Sequence, residues 1–226
     1  MLRDVTEGEA VRQPLADQMY RVLLGQLMDG VRGPGEPLNI GALSRELAVS
    51  QTPLREALAR LEHTGLVRRE ALRGYRVASV MSLTEVRQLR DARLAIEPAL
   101  AAGAATLATP EFLAAIEETH QEFDASVGVA DRDTEGFQAY WRSDDRFHGL
   151  IAAQAGNPFL ELAYSALAGQ IQRFRMFSKM GRTGSHHAAP EHNLIMQALA
   201  QGDAEAAAAR MRDHITGAAA RILSPQ

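Results

Sequence analysis

The most restrictive feature of this sequence is the succession of helical patterns that fills its last two-thirds. From Ser82 onward, apolar residues recur at helical spacing between breaks that contain proline, glycine or polar residues, and no strand pattern or internal repeat is found. Ser82 and Glu85 have the spacing of a capping box at the start of the first helix. The segment 82–223 is therefore predicted to be an all-α bundle of six or seven helices. The predicted helices are 83–107, 110–128, 134–155, 158–179, 190–201 and 203–223.

The first eighty residues have a different pattern. A helix, a short helix, a third helix and two short strands are predicted in that order. Ser50 is expected at or near the N-cap of the third helix, with Pro53 in the first turn, where its missing N–H costs nothing. This order is typical of a winged helix-turn-helix, which we assign to residues 12–79. The predicted elements are helices at 14–30, 40–47 and 50–65 and strands at 66–69 and 75–78, with Gly74 in the turn.

A winged helix-turn-helix inserts the first turn of its second motif helix into the major groove of DNA. That turn contains Gln51, which can pair with adenine, and Arg55, which can pair with guanine or a phosphate. Residues at the wing tip and on the preceding helix would contact the DNA backbone or the minor groove. The alternative is a surface helical hairpin with solvated arginines. The predicted DNA-binding residues are Arg45, Ser50, Gln51, Thr52, Arg55, Arg73 and Gly74.

Charge is distributed unevenly along the chain. The formal net charge is −4, yet residues 41–80 contain seven Arg and four Glu, as expected of a DNA-binding module on a larger acidic body. The absence of cysteine excludes disulfides and thiolate metal sites and suits a reducing cytosol. No apolar run is long enough for a membrane span, and the N-terminal segment is too charged for a secretion signal. A cytoplasmic protein without a membrane partner is expected.

Four polar residues of the helical region have spacings that suit a metal site. Asp144 and His148 lie four residues apart in one predicted helix and therefore project from the same face. His192 lies ten residues before Gly202 and His214 twelve after it, so both would lie at similar heights on two antiparallel helices. Three imidazoles and one carboxylate suit zinc, or else nickel, iron or manganese. The alternative is surface histidines with a solvated aspartate. Competing ligand candidates are His186 and His187.

Motifs of common catalytic sites are absent from the sequence. There is no phosphate loop ending in Gly-Lys-Ser/Thr, no dinucleotide glycine fingerprint, no nucleophile elbow and no His-Glu-x-x-His. An enzyme is therefore not expected. A metal-dependent hydrolase remains as an alternative, because Asp145 and Glu191 lie next to candidate ligands. In a further alternative the metal itself is the signal.

The segment LSRELAVSQTPLREAL, residues 43–58, resembles the DNA-binding domain of the GntR family of bacterial regulators. The resemblance extends over roughly Pro14 to Ser79. Gln51 departs from the family, which usually has Arg at this position, so the family's common operator sequence does not transfer. Further matching segments are PGEPL at 34–38, RLE at 60–62, GLV at 65–67 and RGYRV at 73–77.

The helical region resembles the FCD sensor domain that follows the winged helix in the FadR/VanR-type branch of the GntR family. The resemblance implies that a divalent metal ion, zinc before other metals, is bound inside the bundle. The matching ligand positions are Asp144, His148, His192 and His214. The segments that carry the resemblance are RLAIE at 93–97, DDRFH at 144–148, GNP at 156–158, EH at 191–192, GD at 202–203 and MRDHI at 211–215.

The same resemblance implies a small organic acid as effector, such as a sugar acid or another carboxylate. A metal ion with an open position can take a carboxylate oxygen, and an arginine can hold the other end in a two-pronged pair. Arg93 is predicted to be that arginine, with Arg173 and Arg175 as further candidates. The alternative for each of the three is a surface or interface arginine, and for Arg173 this alternative is preferred. The protein is predicted to be a homodimeric regulator that binds a near-palindromic double-stranded DNA operator. Because most regulators of this kind are repressors, repression is expected.

Overall fold

The computed structural model describes residues 14–71, 73–130, 133–177 and 184–223. In these ranges an N-terminal unit of three helices and a small sheet precedes six further helices, which is the predicted mainly α fold class. The N-terminal elements are α1 (Leu15–Met28), β1 (Pro37–Leu38), α2 (Ile40–Glu46), α3 (Gln51–His63), β2 (Val67–Glu70) and β3 (Gly74–Val77). The elements that follow are α4 (Leu83–Thr106), α5 (Pro110–Ser126), α6 (Thr134–Gln154), α7 (Pro158–Phe177), α8 (Ser185–Ala200) and α9 (Ala204–Leu223).

Helix α3 is positioned by its buried face and by its C-terminal cap. Leu54, Leu58 and Leu61 recur at helical spacing and are buried in the core of the N-terminal unit. Gly65 ends the helix with a φ of +70°, and the Leu66 N–H donates to the Leu61 carbonyl at 3.2 Å. This left-handed cap requires glycine, because a side chain at positive φ is strained.

The three strands form one antiparallel sheet in the order β1-β3-β2. Val67 lies opposite Val77 in the wing hairpin, as the two predicted strands require, and Leu38 of β1 lies opposite Tyr75. Strand β1 was not predicted, because two residues in a proline-containing segment give no pattern. Pro37 is tolerated there because an edge strand does not need every backbone N–H.

The C-terminal helices pack into the predicted bundle, with α4 lying along α9, α5 along α6 and α8 along α9. The Ser82–Glu85 capping box at the start of α4 is present, with the Glu85 N–H donating to the Ser82 hydroxyl at 3.2 Å. None of the described helices is both long and apolar enough to cross a bilayer. The largest fully buried side chains of the bundle core are Leu100, Ile116, Phe147, Ile151 and Ile171.

Helix α8 begins five residues earlier than predicted, at Ser185 rather than at residue 190. The sequence prediction took Pro190 as the first helical residue, but Pro190 lies inside the helix. The backbone hydrogen bond that it removes is tolerated because α8 buries Ala188, His192 and other residues of the same face. The predicted end of α7 at 178–179 and the glycine-rich break at 181–183 lie outside the described residues.

The two units are in contact through apolar side chains and through two glycines. Tyr140 and Trp141 of α6 belong to the same buried cluster as Leu23 of α1. The backbones meet at Gly65 and Gly169 of α7, where a Cβ built on Gly65 would overlap the Gly169 carbonyl oxygen. Glycine at both positions therefore allows the end of α3 to lie directly on α7.

Candidate metal centre and nucleic-acid interface

Three predicted residues, His148 of α6, His192 of α8 and His214 of α9, come together in the interior of the bundle. Their candidate ligand nitrogens all lie within 4.8 Å of one another, and all three side chains are buried. The Phe147 ring stacks on the His192 ring with centroids 4.2 Å apart and an interplanar angle of 8°. Aromatic packing therefore holds one member of this histidine cluster in a fixed orientation.

Asp144, the fourth predicted ligand, lies beside the histidine cluster. Its Oδ1 is 3.4 Å from His192 Nε2, and its Oδ2 forms an ion pair with the buried Arg175 guanidinium. One helical turn separates it from His148, as the sequence spacing requires. The structure thus brings all four predicted residues together, with Asp144 shared between the cluster and an arginine.

Two outer carboxylates contact the far side of two imidazoles. Glu97 Oε2 lies 2.8 Å from His148 Nδ1, and Glu191 Oε2 lies 2.7 Å from His214 Nδ1. Carboxylates in this position orient imidazoles in protein metal sites and leave Nε2 available to the ion. Sequence reasoning gave Glu97 no role. Its signals in the sequence were the spacing of four from Arg93, with which it forms a buried ion pair, and its place in the RLAIE segment.

The electrostatics of the site keep two of the imidazoles, those of His148 and His192, in the neutral form that binds metal. Burial lowers the pKa of His148 to about 4, although the neighbouring Glu97 carboxylate acts in the opposite direction. Burial and the surrounding imidazoles and Arg175 hold the pKa of His192 well below its usual range. Burial alone would raise the pKa of Glu97, but Arg93 and His148 outweigh it and lower that pKa. Neutral imidazoles at His148 and His192 and an ionised carboxylate at Glu97 are therefore expected at pH 7.

Several buried nitrogens of the histidine cluster lack a hydrogen-bond partner. Among the described residues, no donor or acceptor pairs with His148 Nε2 or with either ring nitrogen of His192. An unsatisfied buried polar atom costs about 1–3 kcal/mol, so such atoms rarely occur together without a reason. A divalent cation would satisfy His148 Nε2 and one ring nitrogen of His192 together, and the donor set of imidazoles with one carboxylate suits zinc. The residues present thus fit a metal ion.

A small, partly open recess of about 50 Å³ lies beside the histidine cluster, and Asp144 and His214 belong to its lining. Arg93 and Arg175, two of the predicted effector-binding candidates, also line it. Arg173 does not belong to this lining. Its Nε donates to the Ser79 carbonyl at 2.7 Å in the linker between the two units, and its Nη1 lies 3.1 Å from Glu85. Arg221, which sequence reasoning did not select, also lines the recess.

The predicted DNA-binding residues are all exposed in the N-terminal unit. Ser50 is the N-cap of α3 without a side-chain capping bond, so its hydroxyl is available to other partners. Gln51 and Arg55 lie on adjacent turns, with the Arg55 guanidinium donating to Gln51 Oε1 at 3.2 Å. A recess between α3 and the wing contains Arg55 and Gly74 in its lining. The seven predicted residues, each exposed, are Arg45, Ser50, Gln51, Thr52, Arg55, Arg73 and Gly74.

An exposed first turn of α3, a hairpin wing beside it and an all-α bundle behind define the class of winged helix-turn-helix DNA-binding regulators. The family model for bacterial regulatory proteins of the gntR family matches residues 15–77, and the FCD domain model matches residues 88–217. Because these matches cover most of the chain, the protein belongs to the GntR family of transcription regulators and carries an FCD domain.

Known relatives agree with this assignment. The sequence is 28% identical over 204 residues to the HTH-type transcriptional repressor RspR of Escherichia coli (strain K12), covering 90% of this chain and 86% of that protein. It is 28% identical over 182 residues to the Nta operon transcriptional regulator of Aminobacter aminovorans, covering 80% and 82%. A solved GntR regulator structure from Rhodococcus sp. RHA1 has the same fold, with a TM-score of 0.68, 23% identity and coverage of 92% and 97%. The prediction of a regulator rather than an enzyme is confirmed.

Proposed function

We propose that this protein is a repressor whose operator binding is controlled by a small organic acid, bound at a divalent metal ion in the helical domain. The observation that carries the proposal is the contact between the histidine cluster and the arginine-lined recess. Asp144 and His214 belong both to the proposed ligand set and to the lining. A metal ion held there, zinc before nickel, iron or manganese, is reachable by a ligand entering the recess, and it supplies a site for a carboxylate oxygen.

The arginines of the recess favour an acid over a neutral ligand. Arg93 is oriented by its two contacts with Glu97, and Arg175 by its ion pair with Asp144. Guanidinium groups fixed in this way bind carboxylates in a two-pronged manner. We therefore assign the effector-binding role to Arg93 and Arg175, and an interdomain role to Arg173.

Helix α7 offers a route from the recess to the DNA-binding unit. Arg175 faces the recess, whereas Arg173, two residues earlier, contacts the Ser79 carbonyl in the linker, and Gly169 contacts Gly65 at the end of α3. A ligand that draws Arg175 away from Asp144 would change the position of α7 and hence its contacts with the linker. The effector would thereby favour one placement of the DNA-binding unit through its differential affinity.

A near-palindromic operator requires two copies of the chain, and α7 offers a face for the second. Phe159 and Leu162 are 83% and 68% exposed, one helical turn apart. We propose that these two residues, the α7 apolar face, pack against the same face of a second copy. Leu162→Glu is then expected to weaken self-association at least about tenfold, because a carboxylate would be buried against apolar side chains.

Sedimentation velocity over a range of protein concentrations would measure this change in self-association. Leu194→Glu is the matched control, since Leu194 is an exposed leucine on α8 of the same domain. It should leave the oligomeric state unchanged. Equal self-association of Leu162→Glu and the unaltered protein would reject the α7 apolar face.

The function is tested by measuring operator affinity, metal content and acid-induced thermal stabilisation on one preparation. We expect about one metal ion per chain, and chelation should leave operator binding intact while abolishing the response to the acid. Arg55→Ala should lower operator affinity about tenfold or more, because Arg55 lies on the predicted DNA-binding helix α3. It should keep the acid response, because α3 does not contribute to the lining of the recess. Loss of operator binding on chelation would instead indicate that the metal is the signal. Hydrolysis of an added ester would favour a hydrolase.

A further inference from the structure

Three arginines from three different helices line the recess: Arg93 of α4, Arg175 of α7 and Arg221 of α9. Each of them already faces a carboxylate of the protein, so the recess is not simply a basic patch. The paired acids are Glu97, Asp144 and Glu191, in the same order. Asp145, 3.9 Å from Arg175 Nη1, is half-exposed and accepts a bond from Gln172, so solvent screens its charge.

Arg175 is the inner arginine with unused hydrogen-bonding capacity. The residue is only 7% exposed, and within the described parts of the chain its Nη1 has no hydrogen-bond partner. A buried guanidinium N–H without an acceptor is unfavourable, so the lining lacks an acceptor that a bound carboxylate would supply. Because Arg175 also contacts Asp144, this inner position adjoins the proposed metal ligands.

Arg221 is nearer to solvent and belongs to the last turns of α9. Its side chain is 22% exposed, and its Nη1 lies 2.8 Å from Glu191 Oε1. Glu191 is shared, because its Oε2 also contacts His214 Nδ1 at 2.7 Å. A guanidinium has five N–H donors, and this pairing with Glu191 uses only two of them. No hydrogen bond of the remaining donors is found in the part of the chain that the structure describes, and they can bind a second anionic group of a ligand.

We propose that the effector is a dianionic acid. Its first carboxylate binds both Arg175 and the metal ion, and its second anionic group binds Arg221. This inference rests on the proposed function. Charge supports it, because among the described residues the three arginines of the lining are balanced by three acids, and a divalent ion then adds two positive charges. A monoanion would leave part of that charge uncompensated in a partly enclosed recess.

The test uses matched acids that differ only in the far carboxylate, bound to the metal-loaded full chain in a calorimetric titration. The pairs are malate with 2-hydroxybutyrate, 2-hydroxyglutarate with 2-hydroxyvalerate, and glucarate with gluconate. At least one dianion is expected to bind at least about tenfold more tightly than its monoanionic counterpart, the gain expected of one charge-assisted pair. Equal or weaker binding of the dianion in all three pairs would overturn the inference while leaving an acid-binding site in place.

The variant Arg221→Gln tests whether Arg221 binds the second anionic group. It should lower the affinity for the preferred dianion about tenfold or more and change the affinity for the monoanion less than about twofold. Arg221→Lys, which keeps the charge if the glutamine variant proves unstable, should retain most of the preference. Arg210→Gln is the matched control, because Arg210 is an exposed arginine on the same helix and pairs with Asp213 outside the recess.

The outcomes separate this inference from the proposed function. An equal loss of affinity for both members of a pair in Arg221→Gln, with unchanged metal content, would reject Arg221 as the second subsite. Failure of every acid to bind the metal-loaded protein would reject the proposed effector site, and the inference of a dianionic effector would be rejected together with it. If the protein prefers the dianion, and this preference is lost in Arg221→Gln but kept in Arg210→Gln, the acid-binding site and its second subsite at Arg221 are both established.

Discussion

Replacing His148 and His214 together by alanine is expected to lower the metal content from about one ion per chain to below about 0.1 ion per chain. The reason is that a zinc ion in a protein needs three or four donors at fixed positions, and the double variant keeps only two of the four proposed ligands, His192 and Asp144. Asp144 is in addition held by Arg175. Elemental mass spectrometry of the dialysed protein measures the change directly.

The double variant should remain folded, which separates ligand loss from unfolding. The apolar cluster around Phe147 and Ile195 does not depend on the two imidazoles. Glu97 and Glu191 lose an imidazole each but keep arginine partners. Operator binding is therefore expected to persist, whereas acid-induced stabilisation should disappear.

A matched control is His187→Ala, which removes an exposed histidine from the same helix as His192. It should retain full metal content, since His187 is not in the histidine cluster found among the described residues. Full metal occupancy in the double variant, or its loss in His187→Ala, would show that the ligand set is wrong.

Much of the site's location was accessible from sequence because it depends on local periodicity. The spacing of four between Asp144 and His148 fixes a shared helix face, and the turn at Gly202 places His192 and His214 at similar heights. The structure does bring these residues together. Their role as ligands remains a prediction that the metal analysis tests.

The partners of the histidines were less accessible, because they depend on how helices rotate against each other. Glu97 contacts His148 across 51 positions of sequence, and Arg175 contacts Asp144 across 31, and neither contact follows from a repeat or a motif. Arg173 illustrates the same limit. Sequence reasoning named it as an effector candidate with an interface role as the alternative, and its contact with the Ser79 carbonyl agrees with the alternative.

The fold shows a similar division between local and non-local information. The capping box at Ser82 and the glycine cap at Gly65 mark helix ends by local chemistry, and both ends lie where the sequence indicates. Strand β1 exists only because β3 pairs with it, and α8 extends past Pro190 because burial of one face outweighs a lost backbone bond. Non-local contacts decide these two features, so patterns within one segment do not predict them.

Gly65→Ala is expected to lower the free energy of unfolding by about 2–5 kcal/mol. One part, about 1–2 kcal/mol, is the strain of a side chain at a φ of +70°. The other part, about 1–3 kcal/mol, arises because the new Cβ would overlap the Gly169 carbonyl oxygen and force α3 and α7 apart. Urea unfolding followed by circular dichroism measures the total. Fluorescence of Trp141, the single tryptophan, reports on the apolar cluster between the two units.

Gly30→Ala separates the two contributions, because Gly30 has nearly the same φ, +69°, and no atom of the described residues lies within 4 Å of a Cβ built there. It should cost only the backbone strain, about 1–2 kcal/mol, and leave the Trp141 fluorescence of the folded state unchanged. In Gly65→Ala the same fluorescence should shift before the helical signal is lost, since separation of the units relieves the overlap. Equal destabilisation by the two variants would mean that the close approach of Gly65 to Gly169 contributes nothing. The end of α3 would then not be held against α7, and the proposed route from the recess to the DNA-binding unit would lose its contact.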